Sequence, residues 1–390
     1  MDIHHPIPLL AGLSPAQFMR RHWQKKPLLV RGAIPGFTPL LSRLELVKLA
    51  ARDGVESRLI VKNSAGWRMK SGPFAPRSLP SVNRPDWTLL VQGVDGHVRS
   101  VHQLLQQFRF VPDARLDDLM ISLASTGGGV GAHFDSYDVF LLQASGRRRW
   151  RIGKQKDLTL QSNVPLKILQ NFEPEEEFVL DAGDMLYLPP RYAHEGTAEA
   201  ITDADGKSLD CMTYSIGFKA PAAGELAAEL LHKLAEFNED AQAPQKFYRD
   251  ASQTATPVPA ELPEALINFA HTAVARALAD PLATACAVGE IMTAPKSNVW
   301  FDEPLLAWDR CADKGAVLDI KTRMMYDVHH VFINGESYLA KGADATLMRT
   351  LANNRQLNQT ALDKASTGAI ALLGDWHAAG WLHSLEGPQS

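Results

Sequence analysis

From about residue 117 to residue 218 the chain breaks into short segments rich in aromatic and branched residues. They are 118–122, 137–143, 148–152, 177–180, 185–188 and 212–218, separated by glycine or proline turns such as Gly127-Gly128-Gly129, Ser145-Gly146 and Ala182-Gly183-Asp184. Many short strands at this spacing predict a β-sandwich or a small closed barrel. Before it, residues 13–26 read as an amphipathic helix with Ser14 as N-cap and Pro15 at the first helical position. Leu28-Leu29-Val30 and 87–92 read as strands, 39–52 and 100–109 as helices, and the Ser/Gly/Pro-rich stretch 64–85 as loop.

At Pro221 the pattern changes. Residues 222–237 place Leu226, Leu230, Leu231, Leu234 and Phe237 on one helical face, and two more helices are expected over 264–279 and 281–292. From Asn298 the chain shows short strands and short helices. A chain of 390 residues has a prior of two to three domains. The pattern divides it at about 220 and 298.

Charge divides the same way. The whole chain carries a net −4, but residues 1–220 are +4 and 221–390 are −8. Such a balance argues against a partner held by phosphate contacts, and a net −3 over 300–390 argues against nucleic acid there too. The cysteines Cys211, Cys286 and Cys311 show no CxxC spacing and are too few for a disulfide framework, so a reducing home is expected. Met1-Asp2-Ile3-His4-His5-Pro6 lacks the charge and apolar run of a signal peptide. No stretch approaches 18 apolar residues, so the expectation is a soluble cytoplasmic protein with no membrane partner.

The chemistry-bearing signal is Gly131-Ala132-His133-Phe134-Asp135, whose His-x-Asp pair on a strand would put both side chains on one face. A lone His-x-Asp is common by chance. Fifty-nine residues after Asp135, however, a Gly-Asp turn starts a strand, prolines end it, and His194 follows. Two histidines and one carboxylate on one face of an octahedron are the donor set of non-haem Fe(II) oxygenases, leaving three positions for a bidentate cosubstrate and O2. Structural zinc would prefer closely spaced cysteines. In Gly146-Arg147-Arg148-Arg149-Trp150-Arg151, alternation sets Arg147, Arg149 and Arg151 on one face and Arg148 and Trp150 on the other. A guanidinium facing an apolar barrel needs an anionic partner, and the far carboxylate of 2-oxoglutarate is a natural one. The glycines 127–131 are not a phosphate loop, since no Gly-Lys-Ser/Thr follows.

The stretches DDLMIS (117–122), GGGVGAHFDSYDVFLLQ (127–143), GRRRWRIG (146–153), GDMLYLPPRYAHEG (183–196) and YSIGFKAP (214–221) resemble the JmjC-type, cupin-fold 2-oxoglutarate oxygenases. Within them the chain is similar to the bacterial ribosomal oxygenases, as WQKKPLLVRGA (23–33) and WTLLVQGVD (87–95) also are. The resemblance implies an α+β chain in three parts. A JmjC cupin catalytic domain over 1–220 has its double-stranded β-helix core at about 117–218. A helical dimerisation domain follows over 221–297, and a winged-helix-like domain over 298–390. It implies His133, Asp135 and His194 as Fe(II) ligands, Arg148 as the 2-oxoglutarate carboxylate partner, and Ser122 as a weaker cosubstrate contact. It places Asp118, Met120, Tyr137 and Ser215 in the substrate pocket. Alternation independently sets Asp118, Met120 and Ser122 on one strand face. Without the resemblance Met120 reads as core, Asp118 as a turn acid and Tyr137 as sheet packing. One residue departs from the family: Arg191 stands where a glycine is usual, at a cost of about 1 kcal/mol if that position needs positive φ.

The implied activity is Fe(II)-, 2-oxoglutarate- and O2-dependent hydroxylation at C3 of an arginine in a large-subunit ribosomal protein, by a homodimer. A histidine hydroxylase of another ribosomal protein is the nearest alternative, and Arg148 with Asp118 argues for arginine. A lysine demethylase would need a cage for a methylated ammonium. A non-catalytic cupin scaffold would need neither the metal donors nor Arg148.

Overall fold

The computed structural model describes residues 2–202, 209–240, 246–251, 254–255, 258–304, 308 and 315–385. Two compact units result, Met1–Ala220 and Pro221–Ser390.

The first unit holds helices α1 (Pro15–Arg21), α2 (Arg43–Ala50) and α3 (Arg99–Gln106) and strands β1 (Leu28–Val30), β2 (Ser57–Asn63), β3 (Gly66–Ser71), β4 (Trp87–Val91), β5 (Leu116–Ala124), β6 (Val139–Ser145), β7 (Arg147–Gly153), β8 (Glu176–Leu180), β9 (Met185–Leu188), β10 (Ala193–Glu199) and β11 (Cys211–Phe218). Ser14 and Gln17 close a capping box on α1, with Pro15 in its first turn. The strands form two antiparallel sheets, ordered β1-β9-β6-β11-β5-β4-β2-β3 and β10-β7-β8. Val139, Leu141, Leu186 and Leu188 of the large sheet meet Trp150, Ile152 and Leu180 of the small one in one buried cluster. This is the double-stranded β-helix. The large sheet's other face carries the main core, with Phe18, Phe108, Phe140, Tyr187 and Phe218. There the fully buried Asp138 accepts from Tyr187 Oη at 2.6 Å, Gln24 Nε2 at 3.1 Å and Arg115 Nη2 at 3.3 Å.

Two local expectations are corrected. The stretch 64–85 is not all loop: β3 pairs with β2 from Gly66 to Ser71. Its turn, where Ala65 N donates to Asn63 Oδ1, supplies the polar and glycine residues that masked a following strand. His133 and Asp135 do not sit on a regular strand. His133 is a single antiparallel bridge to His194, and His194 itself lies inside β10 rather than beyond a strand.

The second unit begins with α4 (Ala223–Asp240), α5 (Glu264–Leu278) and α6 (Pro281–Thr293). It continues through β12 (Ala316–Leu318), β13 (Met324–Tyr326), β14 (His330–Ile333), β15 (Glu336–Leu339), α7 (Gly342–Asn354), β16 (Gln356–Leu357), α8 (Gln359–Leu362), α9 (Thr367–Ala378) and β17 (Leu382–Ser384). The sheets are β13-β14-β15 and β16-β12-β17. Within the α4 stripe Leu234 is buried, Leu226, Leu230 and Phe237 are half-buried, and Leu231 is exposed. Helix α6 joins both parts of this unit, since Glu290 pairs with Lys233 of α4 and accepts from Ser337 of β15. Cys211 and Cys286 are free thiols, and Cys311 lies outside the described residues. No helix among the described residues is long and apolar enough to cross a membrane.

Candidate active site

Three side chains converge between the two sheets. His133, Asp135 and His194 each present a potential ligand atom, and these atoms lie within 4.8 Å of one another. The backbone does the gathering. His133 N donates to His194 O at 2.9 Å and His194 N to His133 O at 2.8 Å, so the two histidines are opposed in one bridge. Arg191 N donates to Asp135 O at 2.7 Å and ties the turn before β10 to the third residue. That turn has Arg191 at φ 62°, so the arginine does occupy a left-handed position. Two residues before His133, a Cβ on Gly131 would stand 3.1 Å from Ile168 and 3.2 Å from Trp67, so those two side chains pack directly against the glycine.

The hydrogen bonds of both histidines fix their ring tautomers. His133 Nδ1 lies 2.9 Å from Gly131 O, and His194 Nδ1 lies 2.9 Å from Tyr192 O. A carbonyl only accepts, so each Nδ1 carries the proton and each Nε2 lone pair is left for a metal. His194 is buried, and burial followed by the nearby His133 lowers its pKa to about 4 against the opposing pull of Asp135. A neutral imidazole is the ligating form.

Arg148 lies on the inner face of β7. It is 5% exposed, and its buried Nε and Nη2 have no hydrogen-bond partner. Its guanidinium carbon sits 5.7 Å from the Trp150 ring centroid, and Trp150 in turn lies 5.8 Å from the His194 ring. The indole reaches across because β10 has a glycine opposite it: a Cβ on Gly196 would come within 2.7 Å of the Trp150 ring. The outer face is different. Arg147 pairs with Asp181, Arg149 with Glu177 and Glu199, and Arg151 with Glu195.

Four of the remaining predicted residues sit on the inner face of the large sheet, and Tyr137 lies just before β6. Asp118 and Ser122 are buried and Met120 is half-buried on β5, with Ser215 opposite Met120 on β11. Ser122 Oγ donates to Thr213 O at 3.4 Å. Tyr137 is 38% exposed at the rim, and desolvation, then the charges of Asp135 and Asp118, push its phenol pKa up. Sequence reading missed Gln92, Gly196, Trp67 and Ile168. Gln92 Nε2 lies 2.9 Å from both carboxylate oxygens of Asp118. Its only sequence signal was membership of the 87–95 motif, and Gly196 becomes meaningful only once the strand register sets it against Trp150.

Residues 103–226 match the JmjC domain and residues 277–383 match the ROXA-like winged helix. Over 212 residues the chain is 40% identical to the ribosomal protein uL16 3-hydroxylase of Escherichia coli (strain K12), covering 54% of this chain and 53% of that protein. It is 35% identical over 214 residues to a probable ribosomal oxygenase of Haemophilus influenzae, covering 54% and 50%. In sequence the chain spans about half the length of the curated relatives it matches. In structure it superposes on E. coli ycfD with a TM-score of 0.81 at 28% identity, covering 94% of this chain and 97% of that one. It is similarly close to YcfD, described as a ribosomal oxygenase, in complex with cobalt and 2-oxoglutarate, with a TM-score of 0.79, 28% identity and coverage of 95% and 98%. The fold, the two matched domains and these neighbours agree: the chain carries a JmjC domain over residues 103–226 and a ROXA-like winged helix over residues 277–383.

Proposed function

We propose that the chain is an Fe(II)- and 2-oxoglutarate-dependent hydroxylase that acts at C3 of an arginine in a large-subunit ribosomal protein, with uL16 the first candidate. The observation that carries this reading is Arg148: a buried guanidinium with unpartnered nitrogens beside a three-residue donor cluster. Unpaired buried charge is strongly unfavourable, so the inner face is completed by an anion. The donor set of His133, His194 and Asp135 fits Fe(II), and the free Nε2 atoms and the neutral state of His194 support ligation without prior loss of a proton. When bound, the metal with 2-oxoglutarate and O2 supplies the oxidation that converts a C–H to C–OH, releasing succinate and CO2.

The chain's own residues bind, orient and shield. Arg148 takes the far carboxylate of 2-oxoglutarate as a charged pair, Trp150 walls it, and Ser122 contributes a hydroxyl. Asp118 receives the substrate guanidinium, Met120 and Tyr137 flank it, and Ser215 adds a hydrogen bond. The relative named a uL16 3-hydroxylase supports uL16 and the C3 position, and the buried acid at Asp118 supports a guanidinium over an imidazole.

In this reading the protein works in the cytoplasm, where ribosomal proteins are made, and without direct contact to nucleic acid. It is a homodimer joined through the helices of 221–297. Exposed Leu231, Leu266, Ile267, Val274 and Leu278 support that joint. The winged-helix-like part from 298, with a net −3 over 300–390, suits a basic protein substrate. The test is mass spectrometry of ribosomal proteins from cells with and without the gene. A 16 Da addition on a uL16 arginine that disappears in the deletion is expected. Unchanged masses on every ribosomal protein would refute the assignment.

A further inference from the structure

The inner face of β7 carries a second unpartnered donor beside Arg148. Trp150 is 4% exposed, and its indole Nε1 is buried with no hydrogen-bond partner among the described residues. An indole N–H can only donate, and burying it without an acceptor is unfavourable. The ring is held from one end. Its Cη2, Cζ3 and Cε3 atoms lie 2.7 to 2.9 Å from the position a Cβ on Gly196 would take, and Nε1 belongs to the opposite end of the ring. Alternation sets Trp150 on the same face as Arg148, whose guanidinium carbon is 5.7 Å from the indole centroid. The two unpartnered nitrogens of that guanidinium are Nε and Nη2. Arg109 uses the same two atoms to grip Asp113, at 2.8 Å to Oδ1 and 2.6 Å to Oδ2. Arg148 therefore offers a side-on fork for one carboxylate.

The other polar side chains of this face already commit their hydrogens. Gln143 Nε2 donates to Ser145 O at 2.8 Å and to Cys211 Sγ at 3.5 Å, and Thr213 Oγ1 donates to Gln143 Oε1 at 2.8 Å. Cys211 Sγ in turn donates to Arg147 O at 3.3 Å. Ser122 Oγ makes a long contact of 3.4 Å to Thr213 O. Thr213 stands between Ser122 and Gln143 in the strand register, and Cys211 packs on Ala198, the residue paired with Arg148. Resting on the hydroxylase reading, we propose that Trp150 Nε1 is a cosubstrate-binding donor that hydrogen-bonds the far carboxylate of the 2-oxo acid beside the Arg148 fork. A carboxylate offers about four lone-pair sites. The fork takes one on each oxygen, and the indole takes a third. Arg148 supplies charge, while an N–H held by the seat on Gly196 supplies a fixed direction, so the pair selects where the carboxylate lies as well as its sign.

The experiment uses the full chain loaded with zinc, a diamagnetic stand-in for Fe(II). The indole N–H resonance of Trp150, assigned through the contact of its ring with Gly196, is followed as 2-oxoglutarate is added. A parallel titration uses pyruvate, a 2-oxo acid without the far carboxylate. The resonance should move downfield with 2-oxoglutarate and stay in place with pyruvate. Calorimetric titration of both acids into cobalt-loaded wild type and Trp150→Phe gives the second readout. Trp150→Phe should bind 2-oxoglutarate about tenfold more weakly, the scale of one hydrogen bond to a charged group, and pyruvate within about twofold of wild type. Should Trp150→Phe not fold, the resonance decides alone. An indole that bound 2-oxoglutarate leaves unmoved, a variant with unchanged affinity, or one that weakens both acids alike would overturn the proposal and leave the Arg148 reading standing. A wild type that does not bind 2-oxoglutarate would overturn both.

Discussion

The two faces of β7 hold the same residue type in opposite circumstances. Arg147, Arg149 and Arg151 point outward, are about two-fifths exposed, and each has a carboxylate partner on or just past a neighbouring strand. Arg148 points inward, is 5% exposed, and has buried nitrogens with no partner. Exposed pairs of the first kind contribute little, typically below about 1 kcal/mol each. A buried cation without a partner is costly, and folding does not retain it for stability. The difference teaches where to look for function: the inner arginine makes sense only with something else bound. His194 obeys the same rule, since the inner face holds it neutral.

The largest effect expected is from His133→Ala, which removes one of three donors. Metal binding followed by cobalt absorption, and turnover of 2-oxoglutarate, should both fall to background; retained turnover would refute the site. Acidification probes the inner face next. His194 is depressed to about 4 in the folded chain, against 6.5 for an ordinary histidine. The unfolded chain therefore takes the proton first, and stability present above pH 6.5 is lost as the pH falls through the window toward 4. At pH 4.5 the metal-free protein should have lost about 2 kcal/mol through this group, as read by urea unfolding. Flat stability across that window would contradict the burial argument.

Gly196→Ala should push the Trp150 indole off its seat, costing about 1–3 kcal/mol by overpacking and loosening metal binding through His194. Replacing arginine on the two faces of β7 should give changes of opposite sign. In the absence of cosubstrate, Arg148→Met should melt no lower than wild type, whereas Arg149→Met should melt slightly lower because Glu177 and Glu199 are left without their partner. The smallest effect is Arg191→Gly, expected to add about 0.5 kcal/mol by relieving the left-handed backbone at φ 62°.

Much of this site was legible before the structure. Period-two alternation separated Arg148 from its outward neighbours, and the burial of β7 follows that alternation from Arg147 to Ile152. The triad spacing pointed to three residues that the fold brings together. What stayed hidden depends on register between distant strands. Gly196 faces Trp150 because β10 and β7 pair with Gly196 opposite Trp150, and Gln92 meets Asp118 across 26 residues of chain. Neither is a local property. The β3 strand was hidden for a local reason, since the residues of its turn outweighed the six that follow. The helix at 13–26 was read too long, because past Arg21 the chain leaves the helix and Gln24 turns at φ 56°.

The central claim is that Arg148 is held unpaired for an anionic cosubstrate. The most direct measurement is calorimetric titration of 2-oxoglutarate into the cobalt-loaded wild type, Arg148→Ala and Arg149→Ala. Wild type and Arg149→Ala should bind alike, within about twofold. Arg148→Ala should bind some 10- to 100-fold more weakly, as loss of a charged bidentate pair requires. Equal affinity in all three would contradict the claim.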